Sequence, residues 1–172
     1  MNKKYLYFVE GDCEQQFINA LKEQPSRIVS GKVKKYNVIQ KMIPKSQLLS
    51  IQPGTTVVFI FDTDIKNTEI LDRNIQMVKK CCGRIQLVFL MQVLQFEDEI
   101  VRGTDIKKVQ DLTKSKSNSN FKTDFCRMKT ADCRRLLERH HLDLGKIWIT
   151  KPSKEFKKYK SEKGVAALKL QE

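Results

Sequence analysis

The segment at residues 55–61, TTVVFIF, constrains the fold more than any other feature of the chain. After its two threonines it is apolar on both faces of an extended backbone. A strand with one solvated face alternates apolar and polar residues, whereas a strand covered by helices on both faces is a continuous apolar run. Pro53 and Gly54 precede the run and Asp62 follows it, so it has the length of a strand. We therefore predict a central strand of a parallel sheet.

Strand and helix patterns alternate on either side of this segment. Further strands, rich in aromatic and β-branched side chains, are predicted at residues 4–9, 33–40 and 85–93. Helices with apolar residues three and four positions apart are predicted between the strands, at 13–23, 45–51 and 71–82. Alternation of this kind predicts an α/β fold, a Rossmann-like parallel sheet flanked by helices, with right-handed crossovers.

The pattern becomes mainly helical in the second part of the chain. The predicted elements there are a short helix at 96–101, a polar loop at 113–120, a helix capped by Asn120, a helix capped by Thr130, and a short strand at about 146–150. The expected organisation is an α/β core at residues 1–99 and a basic, mainly helical extension at 100–172. The extension is expected to return its one strand to the sheet.

The net charge of +13 comes mostly from this second part. Residues 101–172 hold 19 basic and 9 acidic side chains, whereas residues 1–100 hold 14 and 11. Such an excess indicates a polyanionic partner, most often nucleic acid, with a solvated lysine-rich surface as the alternative. The candidate nucleic-acid-binding residues are Lys122, Arg127, Arg134, Arg135, Lys154, Lys157 and Lys158.

Several features of the sequence point to the cytoplasm. No apolar run approaches the roughly 20 residues needed to span a bilayer, so no membrane partner is expected. The first residues become charged too soon for a signal peptide. The five cysteines are odd in number and form no CxxC pair. Cys126, Cys133 and His140 recur every seven residues, which favours one face of a helix over a zinc site.

Acidic residues follow the predicted strands. Glu10 ends the first strand and Glu14 lies one helical turn later, whereas Asp62 and Asp64 end the central strand. Ligands of open parallel sheets bind at the carboxyl ends of the strands. Carboxylates brought together there repel one another unless they are protonated or hold a cation such as Mg²⁺ or Mn²⁺. Taken singly, these acids could also be helix caps or complement a helix dipole.

Two of these segments resemble the motifs of a known family. Residues 8–14, FVEGDCE, resemble the hydrophobic-EGxxE motif of TOPRIM domains, and residues 59–64, FIFDTD, resemble their DxD motif. The resemblance implies a Rossmann-like parallel sheet and a Mg²⁺ ion held by the motif acids. It also implies cleavage or transfer at nucleic-acid phosphates.

The chain also resembles the RloB-like branch, which comprises small TOPRIM proteins of bacterial phage-defence operons. On that comparison Glu97, in the Phe96-Glu97 pair, is a third acidic contributor. Similarity to OLD-type nucleases implies that a lysine after the last strand, here Lys151, neutralises the phosphate in the transition state. Two departures are Ile65, where a glycine often follows DxD, and Asp98 with Glu99, where a tryptophan is common.

We therefore expect a Mg²⁺- or Mn²⁺-dependent nuclease of DNA or RNA, with transfer RNA among the candidate substrates. Glu10, Asp62 and Asp64 are expected to hold the metal. Glu14 and Glu97 complete that set or hold a second ion. The resemblance adds an ABC-type, OLD-like ATPase as a candidate partner, and a homodimer is a candidate assembly. The alternatives are a non-catalytic module that binds nucleic acid or a partner ATPase, and a nucleotidyl or phosphoryl transferase.

Overall fold

The computed structural model describes residues 4–159, 166, 168 and 169. The strands are β1 (Tyr5–Val9), β2 (Lys32–Lys35), β3 (Thr56–Asp62) and β4 (Gln86–Gln92). The helices are α1 (Asp12–Lys22), α2 (Lys45–Leu49), α3 (Glu69–Cys81), α4 (Phe96–Gly103), α5 (Val109–Thr113), α6 (Asn118–Arg127) and α7 (Thr130–Arg139). A 3-10 helix spans Lys154–Tyr159.

The four strands form one parallel sheet in the order β2-β1-β3-β4. β3 pairs with β4 along its whole length, from Thr56 opposite Gln86 to Asp62 opposite Gln92. β1 is buried throughout and β3 is buried up to Phe61, as expected of central strands covered on both faces. The prediction of an α/β fold with a parallel sheet flanked by helices is confirmed.

The alternation of side chains along β3 separates two hydrophobic layers. Val58 and Ile60 face the layer that contains α1 and the helices of the second part. Phe59 and Phe61 face the opposite layer, which contains α3 and the C-terminal 3-10 helix. Each fully buried side chain of this size contributes roughly 1.5–3 kcal/mol to the free energy of folding. Both layers therefore hold β3, and the cavity described below, firmly in place.

The second part of the chain packs on the sheet through aromatic side chains. Phe121 and Phe125 of α6 are fully buried, and Phe125 lies 6.0 Å from Phe96 between ring centroids. The same hydrophobic cluster includes Phe17 of α1 and Cys133 of α7. The helices of the second part thus share one core with the helix that follows the first strand.

The strand predicted at residues 146–150 does not form, and that prediction was wrong. The segment is a bent loop, in which Trp148 has a φ of 58°. Its backbone N–H donates to Glu99 Oε2 at 2.7 Å instead of to a neighbouring strand. The apolar side chains are nevertheless core residues, because Ile147 is fully buried and Trp148 packs on Phe17. The apolar pattern of this segment reflects the burial of its side chains. The backbone N–H of Trp148, which a strand would need for pairing, donates to the carboxylate of Glu99 instead.

Smaller predictions were also wrong at the ends of elements. α6 is capped by Ser117, whose hydroxyl accepts from the backbone N–H of Asn120, so Asn120 lies inside the helix. Thr130 is the first residue of α7 and not its cap. The polar loop predicted at 113–120 is shorter and spans residues 114–117, because α5 ends at Thr113 and α6 begins at Asn118. α5 was not predicted. The predicted extension beyond residue 159 lies almost wholly outside the described residues.

Candidate functional site

A cavity of about 440 Å³ opens at the carboxyl edge of the sheet. It is enclosed by the ends of β1 and β3, the first turns of α1 and α4, and the middle of α6. Its ionisable carboxyl and amino groups belong to Glu10, Asp12, Glu14, Asp62, Glu97 and Lys122. Four of the five predicted metal ligands therefore meet in one place, and Asp64 is the one that does not line the cavity.

Glu10 joins the ends of two central strands. Its Oε2 accepts from the backbone N–H of Asp62 at 3.2 Å, and its Oε1 accepts from Asn37 Nδ2 at 2.6 Å. Burial raises the pKa of Glu10, the hydrogen bond from Asp62 lowers it, and the charge of Asp64 raises it again. Asn37 orients this carboxylate, and the only signal for it in the sequence is a polar residue soon after β2.

Glu14 lies in the first turn of α1 and is only 6% exposed. Its Oε2 accepts from the backbone N–H of Gly11 at 3.1 Å, so it satisfies the start of the helix as well as lining the cavity. Burial, together with the charges of Glu10 and Glu97, raises its pKa to about 7, against partial lowering by backbone hydrogen bonds. The helix-start alternative weighed for Glu14 thus describes part of its environment.

Among the carboxylates of the cavity, Asp62 has the pKa that its surroundings raise most. Its Oδ1 is buried and has no hydrogen-bond partner. Burial, and then the charges of Glu14 and Glu10, raise its pKa to about 9. A buried carboxylate oxygen without a donor costs free energy that a bound cation or a proton would recover. The position of Asp62 at the end of β3 therefore leaves one oxygen of its side chain without a hydrogen-bond donor.

Asp64 lies at the rim and is exposed to solvent. Gln95 Nε2 is 3.4 Å from its Oδ2. Asp64 does not continue the strand, because β3 ends at Asp62. The backbone N–H of Thr63 turns towards the carbonyl oxygens of Gln92 and Leu94. Asp64 thus acts on the cavity through its charge and not by contact.

Lys122 brings a positive charge to the cavity from α6. Its Nζ lies 2.8 Å from Glu97 Oε1, and its side chain is 57% exposed, whereas that of Glu97 is 13% exposed. The hydrogen bond with Glu97 is the main reason why the pKa of Lys122 is raised. Lys151, the residue implied by similarity to OLD-type nucleases, is exposed and does not line the cavity.

The other basic residues predicted to bind nucleic acid lie on two different sides of the sheet. Arg127, Arg134 and Arg135 are on α6 and α7, whereas Lys154, Lys157 and Lys158 are on the 3-10 helix that packs on the opposite layer. Three of the six pair with acids of this chain: Arg134 with Glu138 at 2.6 Å, Arg135 with Asp132 at 2.9 Å and Lys158 with Asp72 at 2.7 Å. The six do not form one continuous surface.

Gln92 is a buried polar residue that was not singled out from the sequence. It ends β4 directly opposite Asp62, is fully buried, and neither atom of its side-chain amide has a hydrogen-bond partner. A polar residue that closes an apolar strand was the available signal. Like Asp62, it is a polar group at the carboxyl edge whose burial is not compensated by the protein.

The donor chemistry of the cavity fits a hard divalent cation. Carboxylate oxygens are the ligands that Mg²⁺ and Mn²⁺ prefer, and the unpartnered Asp62 Oδ1 is available. Among the described residues, no three His, Cys, Asp or Glu side chains are arranged so that they could hold a metal ion. The fit therefore rests on donor type and on the uncompensated oxygen.

Two further findings bear on what the chain is. No helix among residues 4–159 has both the length and the apolar character needed to cross a membrane. Comparisons of the chain with protein-family models, with curated proteins and with solved structures find no match.

Proposed function

We propose that this chain is a nuclease that uses Mg²⁺ or Mn²⁺ to cleave phosphodiester bonds in DNA or RNA. The observation that carries the proposal is the buried, unpartnered oxygen of Asp62 beside Glu10 and Glu14. Protein interiors rarely leave such an oxygen without a donor. A divalent cation among these carboxylates would compensate it and would bind the phosphate of a substrate.

The residues of the cavity would have different roles in binding the cation. Glu10 and Asp62 would hold the cation, with Glu10 oriented by Asn37, and Glu14 and Glu97 would complete its surroundings or hold a second ion. When bound, the cation would activate a water molecule and offset charge on the phosphate. Asp64, at the rim, adds negative charge that strengthens cation binding from outside the cavity.

Lys122 is better placed than Lys151 to contact the phosphate. It is half-exposed and lines the cavity, so its Nζ can exchange Glu97 for a phosphate oxygen when a substrate enters. Arg127 on the same helix is exposed and would extend the contact along the nucleic-acid backbone. Contacts of this kind make affinity strongly dependent on salt concentration.

The biological setting follows from the resemblance of residues 8–14 and 59–64 to TOPRIM motifs. On that basis we place the protein in a phage-defence system, with an ABC-type, OLD-like ATPase as the candidate partner. The cytoplasm is its proposed location. The five cysteines are free thiols, which suits a reducing compartment. Transfer RNA and a homodimer stay within this proposal as a substrate and an assembly to be tested.

The test is cleavage of labelled DNA, messenger RNA and transfer RNA with Mg²⁺, with Mn²⁺ and with a chelator. Cleavage is expected only with metal, and Asp62→Asn and Glu10→Gln should each lower its rate by at least about 100-fold. Glu138→Gln, which alters an exposed acid on α7, is the matched control and should cleave normally. Unchanged cleavage in both cavity variants would overturn the assignment.

The ion pair between Lys122 and Glu97 favours a second candidate, a module that binds nucleic acid or a partner ATPase without catalysis. In that case the cation of the cavity is the lysine itself, and no metal is needed. Binding that weakens with salt, is unaffected by chelator and persists in Asp62→Asn, with no cleavage in any metal, would establish this alternative. Incorporation of labelled nucleotides would instead indicate a transferase.

A further inference from the structure

Two cysteines from distant parts of the sequence meet in the wall of the cavity. Cys13 lies on α1 and Cys126 on α6, and their sulfur atoms are 3.1 Å apart. Cys13 immediately precedes Glu14, and Cys126 lies one helical turn after Lys122. We propose that Cys13 and Cys126 form a disulfide when the protein meets a peroxide, and that this bond ties α6 to α1 across the cavity.

The other cysteines are placed differently. Cys82 donates to the carbonyl oxygen of Leu48 in the opposite hydrophobic layer, and its neighbour Cys81 ends α3. Cys133 is fully buried in the core between α7 and α1. For Cys13 and Cys126, the sulfurs need to approach by only about 1 Å to reach the length of a disulfide bond. Direct packing of α1 on α6 makes such a movement small.

The reaction balances with hydrogen peroxide as the oxidant. Cys126 is the more exposed of the two, so its sulfur attacks one peroxide oxygen, the O–O bond breaks, hydroxide leaves and a sulfenic acid forms. The sulfur of Cys13 then attacks the sulfur of Cys126, the S–S bond forms and the S–O bond breaks with loss of a second hydroxide. The two thiol protons convert both hydroxides to water, and two electrons pass from sulfur to peroxide.

Both thiols are free in the structure, so the bond would form only on oxidation. Once formed, the bond would hold Lys122 against Glu97. This consequence for activity rests on the proposed nuclease function, whereas formation of the bond does not.

Peptide mapping can test the bond directly, because trypsin places the two cysteines in different peptides. The reduced full-length chain is treated with hydrogen peroxide, free thiols are alkylated, and the chain is digested. The peptides that carry cysteine are 5–22, 81–84, 123–127 and 130–134. A linked species of 5–22 with 123–127 is expected as the dominant disulfide and should disappear on reduction. Full alkylation of both peptides, or a dominant link to another peptide, would overturn the proposal.

Matched variants separate this pair from general oxidation. Cys126→Ser changes a half-buried thiol and should abolish the linked species, whereas Cys81→Ser should leave it unchanged. Oxidation should raise the melting temperature of the wild-type chain by on the order of 10 °C, because the bond closes a long loop. The same shift in Cys126→Ser would contradict the proposal.

Cleavage assays then address the consequence for activity. Loss of cleavage on oxidation of the wild type, with recovery after reduction and no loss in Cys126→Ser, would support the inference that the bond holds Lys122 against Glu97. Unchanged cleavage by a chain shown to carry the bond would overturn that consequence while leaving the disulfide itself established. A reduced chain that never cleaves fails the proposed function instead, and the mapping result stands independently of it.

Discussion

The carboxyl edge of the sheet holds a buried and a half-buried carboxylate with opposite surroundings. Glu99 on α4 is 2% exposed and both of its oxygens have donors, although burial still raises its pKa. Its Oε1 accepts from Arg102 at 2.6 Å and from the backbone N–H of Val93 at 2.9 Å. Its Oε2 accepts from the backbone N–H of Trp148. Asp62, in contrast, has a buried oxygen with no donor and lies beside two further acids.

The difference distinguishes an acid that stabilises the fold through its hydrogen bonds from an acid that is a candidate to bind a ligand. Glu99 ties the loop around Trp148 to the end of β4, so its charge is used within the protein. Asp62 has no comparable use, and the fold carries the cost of its burial. An acid at a strand end is thus a candidate for function when its partners are missing, and not because of its position alone.

The largest expected effect comes from removing the compensated acid. Glu99→Ala would leave Arg102 Nη1 and two backbone N–H groups without their acceptor, so the free energy of unfolding should fall by about 3–5 kcal/mol. Urea denaturation measures this change. Glu138→Ala, which breaks the exposed pair with Arg134, is the control and should cost at most about 1 kcal/mol. Equal losses in the two variants would remove the distinction drawn for Glu99.

An effect that is smaller per pH unit, but has a clear pH dependence, is expected at Asp62. Its pKa of about 9 in the folded state lies above the ordinary value of 3.8, so the folded chain holds a proton that the unfolded chain releases. In chelator, the contribution of Asp62 to stability should therefore be greatest at low pH and fall as pH rises from about 4 to 9. One proton gives a slope of up to about 1.4 kcal/mol per pH unit.

Asp62→Asn should flatten that slope, because the amide cannot titrate. Unfolding free energies measured at several pH values in chelator provide the comparison, with Asp64→Asn as a control for an exposed acid at the rim. Part of the slope should persist in Asp62→Asn, since the pKa of Glu14 is also raised, to about 7. Identical slopes in Asp62→Asn and the wild type would contradict the environment described for Asp62.

The smallest effect is expected in the other hydrophobic layer, and its dependence on pH is the reverse of that for Asp62. Asp72 on α3 accepts from Lys158 and from the hydroxyl of Tyr159, each at 2.7 Å. Partial burial raises the pKa of Asp72, but the two hydrogen bonds lower it by a larger amount, so the pKa lies below its ordinary value. The stabilisation is therefore present above about pH 4 and is lost as pH falls.

Asp72→Asn should lower the free energy of unfolding at pH 7 by less than about 1 kcal/mol, because the pair with Lys158 is partly exposed. At a pH low enough to protonate Asp72 in the folded chain, the variant and the wild type should be equally stable. Thermal unfolding at the two pH values measures this. Glu69→Gln, on an exposed face of the same helix, is the control, and a larger loss at low pH than at pH 7 would contradict the sign.

Much of the fold was predictable because burial leaves a local record in the sequence. The apolar runs at β1, β3 and β4 are consequences of coverage on both faces, so each strand was predicted within about two residues. The segment at 146–150 carries the same record without being a strand, because a core loop is equally apolar. Local sequence patterns indicate which residues are buried, but they do not indicate which acceptor a backbone N–H will contact.

The candidate site was predictable in part for a related reason. Parallel strands bring their ends to one edge, so Glu10 and Asp62 could be placed together from the sequence. Glu97 and Glu99, two positions apart, lie about 200° apart around α4, and only packing decides which one enters the cavity. Packing also decided that Lys122, far along the chain, lines the cavity while Lys151 does not.

The sequence by itself determined the parallel sheet and its acidic edge, since both follow from periodicity and from strand direction. The tertiary structure alone decided which acids are compensated, which lysine faces them, and that Cys13 meets Cys126. The last of these contacts joins residues 113 positions apart. It depends on how α6 packs over α1, and the side chains that settle that packing are spread through the whole core.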